Sequence, residues 1–451
     1  MKVFVYKPGL DDGSQGEMPH IGMGIVAAEL QRIEWNVTVI DEHFRKEPDL
    51  IVKNCVKNTD ITALSLVSLE WTLPRTQEII DLAHERGKQV WIGGPHAQGY
   101  WDLMLTDKRI TKIIVGEVDG QIEKVALGGN AKVVKLPTPT KLVTPDYFHM
   151  LSSGEILAYP LYISRGCTNR CSFCAGAAAH GKWRQRDIKD AIWELQRIKT
   201  HHPFVKRVYL VDDAFTADLE HAKAFLRLFN EGLFDYELQV INVRADQLDD
   251  EFLHLLSKNC SILPIGVESA DETVFKAIGK GETLEDIKKG ILKIQSHGIT
   301  PWLNMIVGLP KDTFAHHFRS VDWCTYIPDP KIVHWFQYAP FRGTRAYDYF
   351  LKQGCFEDGF IPSPYGRRYD ELPWEPDFET ESFPKIRRAL AQLYGYLKCD
   401  SPVPIVSKKA EDLALQYMPL VWNAWRARNE KKIEEYLAKY VPEKRARGQL
   451  K

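Results

Sequence analysis

The sequence predicts an α/β chain in three parts. A doubly wound, Rossmann-like parallel sheet covers residues 1–135, a partial (β/α)6 barrel covers 158–345, and a mostly helical region covers 346–451. Three observations predict this. Short β-branched runs alternate with amphipathic, helix-length stretches through the first part, the pattern of strands covered on both faces by crossover helices. Six further runs of the same kind recur between Leu161 and Tyr338. Between the two series, residues 136–157 open on Leu136-Pro-Thr-Pro-Thr and read as a linker.

In the first part the strands are read as Val3–Val5, Val37–Ile40, Ile61–Ser65, Val90–Ile92 and Ile113–Val115. Open parallel sheets bind ligands beyond the carboxyl ends of their strands. The unusual loops fall there: Pro19-His-Ile-Gly22, Ser65–Trp71, Gly93-Gly-Pro-His96 and Gly116-Glu117. Glycines in such loops let the backbone approach a bulky ligand. No G-x-G-x-x-G follows the first strand, which argues against the dinucleotide reading.

The barrel strands are read as Leu161–Ser164, Arg207–Val211, Gln239–Val243, Ile262–Val267, Trp302–Val307 and Ile332–Tyr338. Barrel enzymes place their chemistry at carboxyl strand ends. Asp212-Asp213, Asn242, Arg244, Glu268-Ser269 and Gly308-Leu-Pro310 lie there. Directly after the first of these strands comes Cys167-Thr-Asn-Arg-Cys171-Ser-Phe-Cys174. Three thiolates can hold an iron–sulfur cube and leave one iron open. Zinc sites instead pair two C-x2-C units or add histidines. The other five cysteines are scattered, which suits a reducing compartment rather than a disulfide framework. Trp335, Tyr338, Tyr347, Tyr349 and Trp374 form an aromatic-rich stretch that reads as core or as a substrate cage.

Composition excludes several classes. Apolar residues make up 44% and charged residues 26% of the 451, as in ordinary globular proteins. Lys+Arg 59 against Asp+Glu 60 leaves a net charge of -1, with no global field to favour nucleic acid or an anionic membrane. The first residues lack a secretory leader pattern, and no run reaches the roughly 18 apolar residues of a membrane span. These features predict a cytoplasmic protein.

The C-x3-C-x2-C spacing, with Phe173 just before the last cysteine, resembles the radical SAM family. In that family the open iron chelates the amino and carboxylate groups of S-adenosylmethionine (SAM). The resemblance implies a [4Fe-4S] cluster on Cys167, Cys171 and Cys174. It also implies a SAM site made by Asp213 (or Asp212) at the amino group, Arg244 at the carboxylate, and Glu268 and Ser269 of the G-x-E-S run.

The order of the N-terminal loops resembles the cobalamin-binding domain of B12-dependent radical SAM enzymes. It implies cobalamin contacts from Pro19, Gly22, Ser65, Ser68, Leu69, Glu70, Gly93, Gly94, His96, Gly116 and Glu117, with Leu69, Glu70 and Trp71 nearest the lower face of cobalt. The D-x-H-x-x-G pattern of cobalt-ligating histidines is absent, so His20 is not expected to bind the metal.

Together the resemblances imply a C-methyltransferase that moves a methyl group from SAM through methylcobalamin to an unactivated carbon. Its substrate would be a small molecule or a peptide or protein residue, such as glutamine in methyl-coenzyme M reductase. Its electron donor would be a ferredoxin or flavodoxin. Cyclisation or ring contraction with the same cofactors, or corrinoid binding with an inert cluster, are the alternatives. Methylthiolation of tRNA would need a second cysteine triplet near the N-terminus, where only Cys55 stands.

Overall fold

A computed structural model describes residues 1–359 apart from 10–15, 66–72, 148–149, 151–155, 233 and scattered positions from 313 to 330. Its first part is one parallel sheet of β1 (Lys2–Lys7), β2 (Asn36–Asp41), β3 (Ile61–Ser65), β4 (Gln89–Gly93), β5 (Lys112–Val115) and β6 (Val133–Lys135), in the order β2-β1-β3-β4-β5-β6. Alternate residues of a strand face opposite ways. Phe4 and Tyr6 therefore pack on one face with α2 (Asp49–Asn58) and α3 (Leu73–Glu85), while Val3 and Val5 pack on the other with α1 (Ile21–Arg32) and α5 (Ile122–Ala126). A short α4 (Pro95–Tyr100) follows β4. The chain leaves β1 toward opposite edges of the sheet, so the crevice between β1 and β3 is the topological switch point. The short β6 is not visible as a strand in the sequence because only Val133 and Val134 mark it.

The second part contains β7 (Ala158–Leu161), β10 (Arg207–Leu210) and β11 (Glu237–Val240) in one parallel sheet, and β12 (Ile262–Glu268), β13 (Thr300–Val307) and β14 (Ile332–Gln337) in another. A parallel bridge between Val243 and Ile265 joins the two into an arc of six strands around one core. The covering helices are α7 (Ile188–His201), α8 (Leu219–Glu231), α9 (Asp250–Leu256), α10 (Glu272–Ile278) and α11 (Leu284–Ser296). Each starts on an Asp or Thr whose side chain accepts a backbone N–H of the first turn.

The first barrel strand differs from the sequence reading. It ends at Leu161, and Ser164-Arg165 (β8) pairs antiparallel with Arg184-Gln185 (β9) instead. The buried Asp212 carboxylate accepts the N–H groups of Ile163 and Ser164 and the Ser164 hydroxyl, drawing the chain out of the ladder. The short α6 (Ala175–His180) lies within the β8–β9 connection. Of the expected helical C-terminal region, α12 (Arg345–Lys352) is present, while residues 360–451, with Trp374, lie outside the described residues. Tyr338 and Tyr347 are buried against Phe350 and Phe356, which makes them core rather than cage. No described helix is long and apolar enough to cross a membrane.

Two arginine clusters join the parts. Arg342 donates to Asp102 and to the carbonyl of Gly99 at 3.1 Å, and also to Asp358. On another side, Arg165 pairs with Glu117 and Asp119 at 2.8 Å each, and Arg184 pairs with Glu117 at 2.9 Å.

Candidate functional site

The cysteine loop hangs between β8 and β9. Gly166 opens it at φ +84, and a Cβ there would meet the Lys182 carbonyl at 2.4 Å, so only glycine fits. Cys167, Cys171 and Cys174 are half-buried and not joined in disulfides, and Cys174 is the residue from which α6 starts. Burial pushes the Cys171 thiol up to about 11, Lys280 opposes this, and negative charge on Cys174 and Cys167 adds to it. Such mutual influence means that the three sulfurs share one neighbourhood. Among the described residues no three His, Cys, Asp or Glu side chains converge on a point fit for one metal ion. A cubane instead spreads its thiolates over separate irons.

Glu268, at the end of β12, sits beside this loop. It holds φ +67 at a β-bulge, and burial pushes its carboxyl up against the opposing charge of Lys280, whose Nζ is 3.7 Å away. Lys280 also donates to the Gly266 carbonyl and stands 3.2 Å from Glu282. Glu282, whose side chain is 1% exposed, is a member of this cluster that the sequence reading did not single out. Its signal was an acid in the Lys280-Gly-Glu-Thr run, indistinguishable there from a surface charge.

The neighbouring aspartates divide their work. Asp212 is tied to the β7–β8 turn, whereas Asp213 accepts from the Gly166 N–H at 2.7 Å and from His180 Nδ1 at 2.8 Å. Burial raises the Asp213 carboxyl, but the bond and charge of His180 outweigh it and hold it below its ordinary range.

Two expected SAM contacts are engaged elsewhere. All five N–H donors of Arg244 have protein partners: Asp246 twice, Asn169 Oδ1, and the carbonyls of Lys280 and Gly281. Arg244 therefore ties loops together rather than facing an open carboxylate site. Ser269 Oγ is paired with Ser320 Oγ at 3.1 Å and also accepts the Asp271 N–H.

A cleft of about 260 Å³ runs from inside the first sheet to the barrel. Its deep end is apolar, lined by Val5, Leu30, Trp91, Ile122 and Val125. Its rim carries Gly22, Ser65, Gly93, Gly94, Gly116 and Glu117, and its barrel wall carries Tyr162, Arg165, His180 and Asp213. Gly116 holds φ +113, and a Cβ there would meet the Leu136 carbonyl at 2.7 Å. Tyr162, Arg165 and His180 were missed in the sequence because nothing local marks a side chain that faces another domain.

Other expected cobalamin contacts are placed differently. Pro19 is buried and is not part of the lining. His96 is not part of the cleft lining; it is buried and stacks on Tyr100 of the same helix, with ring centroids 4.8 Å apart. Ser68, Leu69, Glu70 and Trp71 lie outside the described residues. His20 lines the cleft, with an Nδ1 that has no hydrogen-bond partner.

Comparison with known proteins places this geometry. Residues 161–324 match the family model described as the Radical SAM superfamily. Bacteriochlorophyllide d C-12(1)-methyltransferase of Chlorobaculum tepidum is 27% identical over 64% of this chain, and the aligned stretch spans 64% of that relative's length. The C-8(2)-methyltransferase of the same organism is 24% identical over 76% of this chain and 78% of its own. Among solved structures, the radical SAM methyltransferase TsrM of Kitasatospora setae, with cobalamin and a [4Fe-4S] cluster bound, superposes with a TM-score of 0.66 at 16% identity, covering 96% of this chain and 98% of that one. The cobalamin-dependent radical enzyme OxsB, with aqua-cobalamin bound, gives 0.65 at 15% identity over 93% and 71%. The family match lies on the cysteine loop and the strands around it, so residues 161–324 resemble a radical SAM domain, and the described fold is that of these solved structures.

Proposed function

We propose that this chain is a B12-dependent radical SAM methyltransferase that moves a methyl group from SAM, by way of a bound corrinoid, to an unactivated carbon. The observation that carries this reading is the single cleft whose apolar end lies inside the first sheet and whose other end reaches Asp213, beside the cysteine loop. One cavity thus adjoins both halves of the reaction.

The residues fit the implied groups. Cys167, Cys171 and Cys174 put three thiolate donors on one loop, as an open-site [4Fe-4S] cluster requires. Asp213 and Glu268 offer carboxylates, and Lys280 a cation, for the amino-acid end and ribose of SAM. The apolar slot with a glycine rim suits a corrinoid that buries a planar appendage. When bound, the cluster and SAM supply a carbon-centred radical and the corrinoid a transferable methyl group. The chain's own work is to seat substrate between these sites and keep water out. Trp91 and Tyr162 wall the cleft, and the Arg165–Glu117–Arg184 bridge closes its edge.

A one-electron donor such as a ferredoxin or flavodoxin and a cytoplasmic setting belong to the same proposal. Two relatives act on a bacteriochlorophyllide, so a tetrapyrrole joins a peptide glutamine among the substrates to try. The test is anaerobic reconstitution with iron, sulfide, cobalamin, SAM and a reductant. Formation of 5′-deoxyadenosine together with S-adenosylhomocysteine is expected. Persistent 5′-deoxyadenosine without S-adenosylhomocysteine overturns methyl transfer, and a chain that retains no corrinoid overturns the cobalamin assignment.

A further inference from the structure

Asn169 stands between Cys167 and Cys171, and its side-chain amide is held from both ends. Arg244 Nη1 donates to Asn169 Oδ1 at 2.9 Å, while the Asn169 backbone N–H and Nδ2 reach Cys167 Sγ at 3.3 Å and 3.6 Å. A guanidinium only donates, so the amide oxygen must face Arg244 and the amide NH2 must face sulfur. Arg244 cannot swing away. Its remaining donors are fastened to the Lys280 carbonyl at 2.8 Å, the Gly281 carbonyl at 3.1 Å and the Asp246 carboxylate, and its side chain is 12% exposed. A residue 75 positions downstream thus sets which end of one amide meets the thiol.

We propose that Asn169 and Arg244 form a relay of positioning residues that sets the reduction potential of the iron–sulfur cluster. Asn169 donates to the Cys167 sulfur, and Arg244 keeps it in the donating orientation. The inference rests on the reading of Cys167 as a cluster ligand. Hydrogen bonds to sulfur are among the factors that set such potentials. A donor favours the reduced, more negative cluster, so its loss makes reduction harder.

The test is a redox titration of the anaerobically reconstituted full chain without SAM, followed by electron paramagnetic resonance, with iron content measured in parallel. Asn169→Leu keeps shape and removes the side-chain donor at 3.6 Å, leaving the backbone N–H on the sulfur in place. Arg244→Lys keeps charge and removes the fork. Each single variant should shift the midpoint to more negative values, by up to about a tenfold change in the reduction equilibrium, or about 59 mV for one electron. The double variant should shift no further than Asn169→Leu alone, because a relay is not additive.

An unmoved midpoint in Asn169→Leu at full iron content overturns the relay, as does a double variant whose shift is the sum of the singles. Loss of iron in both Asn169→Leu and Asn169→Ala overturns it too, since Asn169 would then serve assembly rather than tuning. A parent chain that assembles no cluster overturns the cluster reading and the relay with it, whereas a clustered parent with unresponsive variants overturns the relay alone.

Discussion

Glu268 keeps a left-handed backbone that costs a non-glycine residue on the order of 1 kcal/mol or more. The bulge and Lys280 hold it there, with its carboxyl beside the cysteine loop. Glu268→Gln removes the charge at nearly constant shape. It should weaken SAM binding by about ten- to a hundredfold, the worth of a charge-assisted hydrogen bond, while bound cobalamin stays at the parent level. Equilibrium dialysis with SAM beside the corrinoid absorbance reads both; undiminished SAM binding would remove Glu268 from the site. The cysteines divide in the same residue-by-residue way. Alanine at Cys167, Cys171 or Cys174 should abolish the brown chromophore, whereas alanine at Cys260 or Cys355, which are buried in the barrel core, should spare it. The grouping of these three cysteines on one loop was legible in the sequence because it is a matter of spacing alone. For Arg244 the sequence shows the charge of a strand-end arginine but not where its five donors go.

At the scale of elements, the end of β12 depends on Gly266. A Cβ there would lie 2.2 Å from the Glu268 carboxylate and 3.0 Å from Lys280 Nζ, so Gly266→Ala must push the pair apart. SAM affinity should fall about as far as in Glu268→Gln, with the helices intact by circular dichroism; normal SAM binding would show that the pair does not form the site. The α4 turn carries a pH signature. Burial pushes the His96 imidazole down from 6.5 to about 4, so over that range the unfolded chain binds a proton that the folded one refuses. The resulting stability is full above pH 6.5 and falls, by on the order of 3 kcal/mol, as pH drops to about 4. Urea midpoints measured against pH should show this slope, and His96→Phe should flatten it. Strand positions were largely readable because β-branched runs mark them, with boundaries off by at most three residues. The β8–β9 pairing was not, since the pull of Asp212 on Ile163 and Ser164 comes from 48 residues or more away.

At the scale of the whole molecule, the cleft is lined by residues of two parts that arginine ion pairs hold together. Arg342 is 18% exposed and binds Asp102, Asp358 and the Gly99 carbonyl, so it is not a loose surface pair. Arg342→Ala should leave each cofactor loaded but loosen the clamp. More 5′-deoxyadenosine would then form per S-adenosylhomocysteine, and thermal unfolding should broaden or split. An unchanged product ratio with a single sharp transition would show that the Arg165–Glu117–Arg184 bridge suffices.

What the sequence determined by itself is whatever is encoded locally: the alternation that makes parallel sheets, the glycine-bearing loops at strand ends, and three cysteines spaced along one loop. Only the tertiary structure decided which strand-end side chains face the shared cleft. It turned His96 and Arg244 inward to other partners, brought Arg165 and His180 to the barrel wall, and set Glu282 beside Lys280. The reason is physical. Strand and loop propensities act over a few residues, whereas the direction of a side chain at a domain junction depends on partners far along the chain.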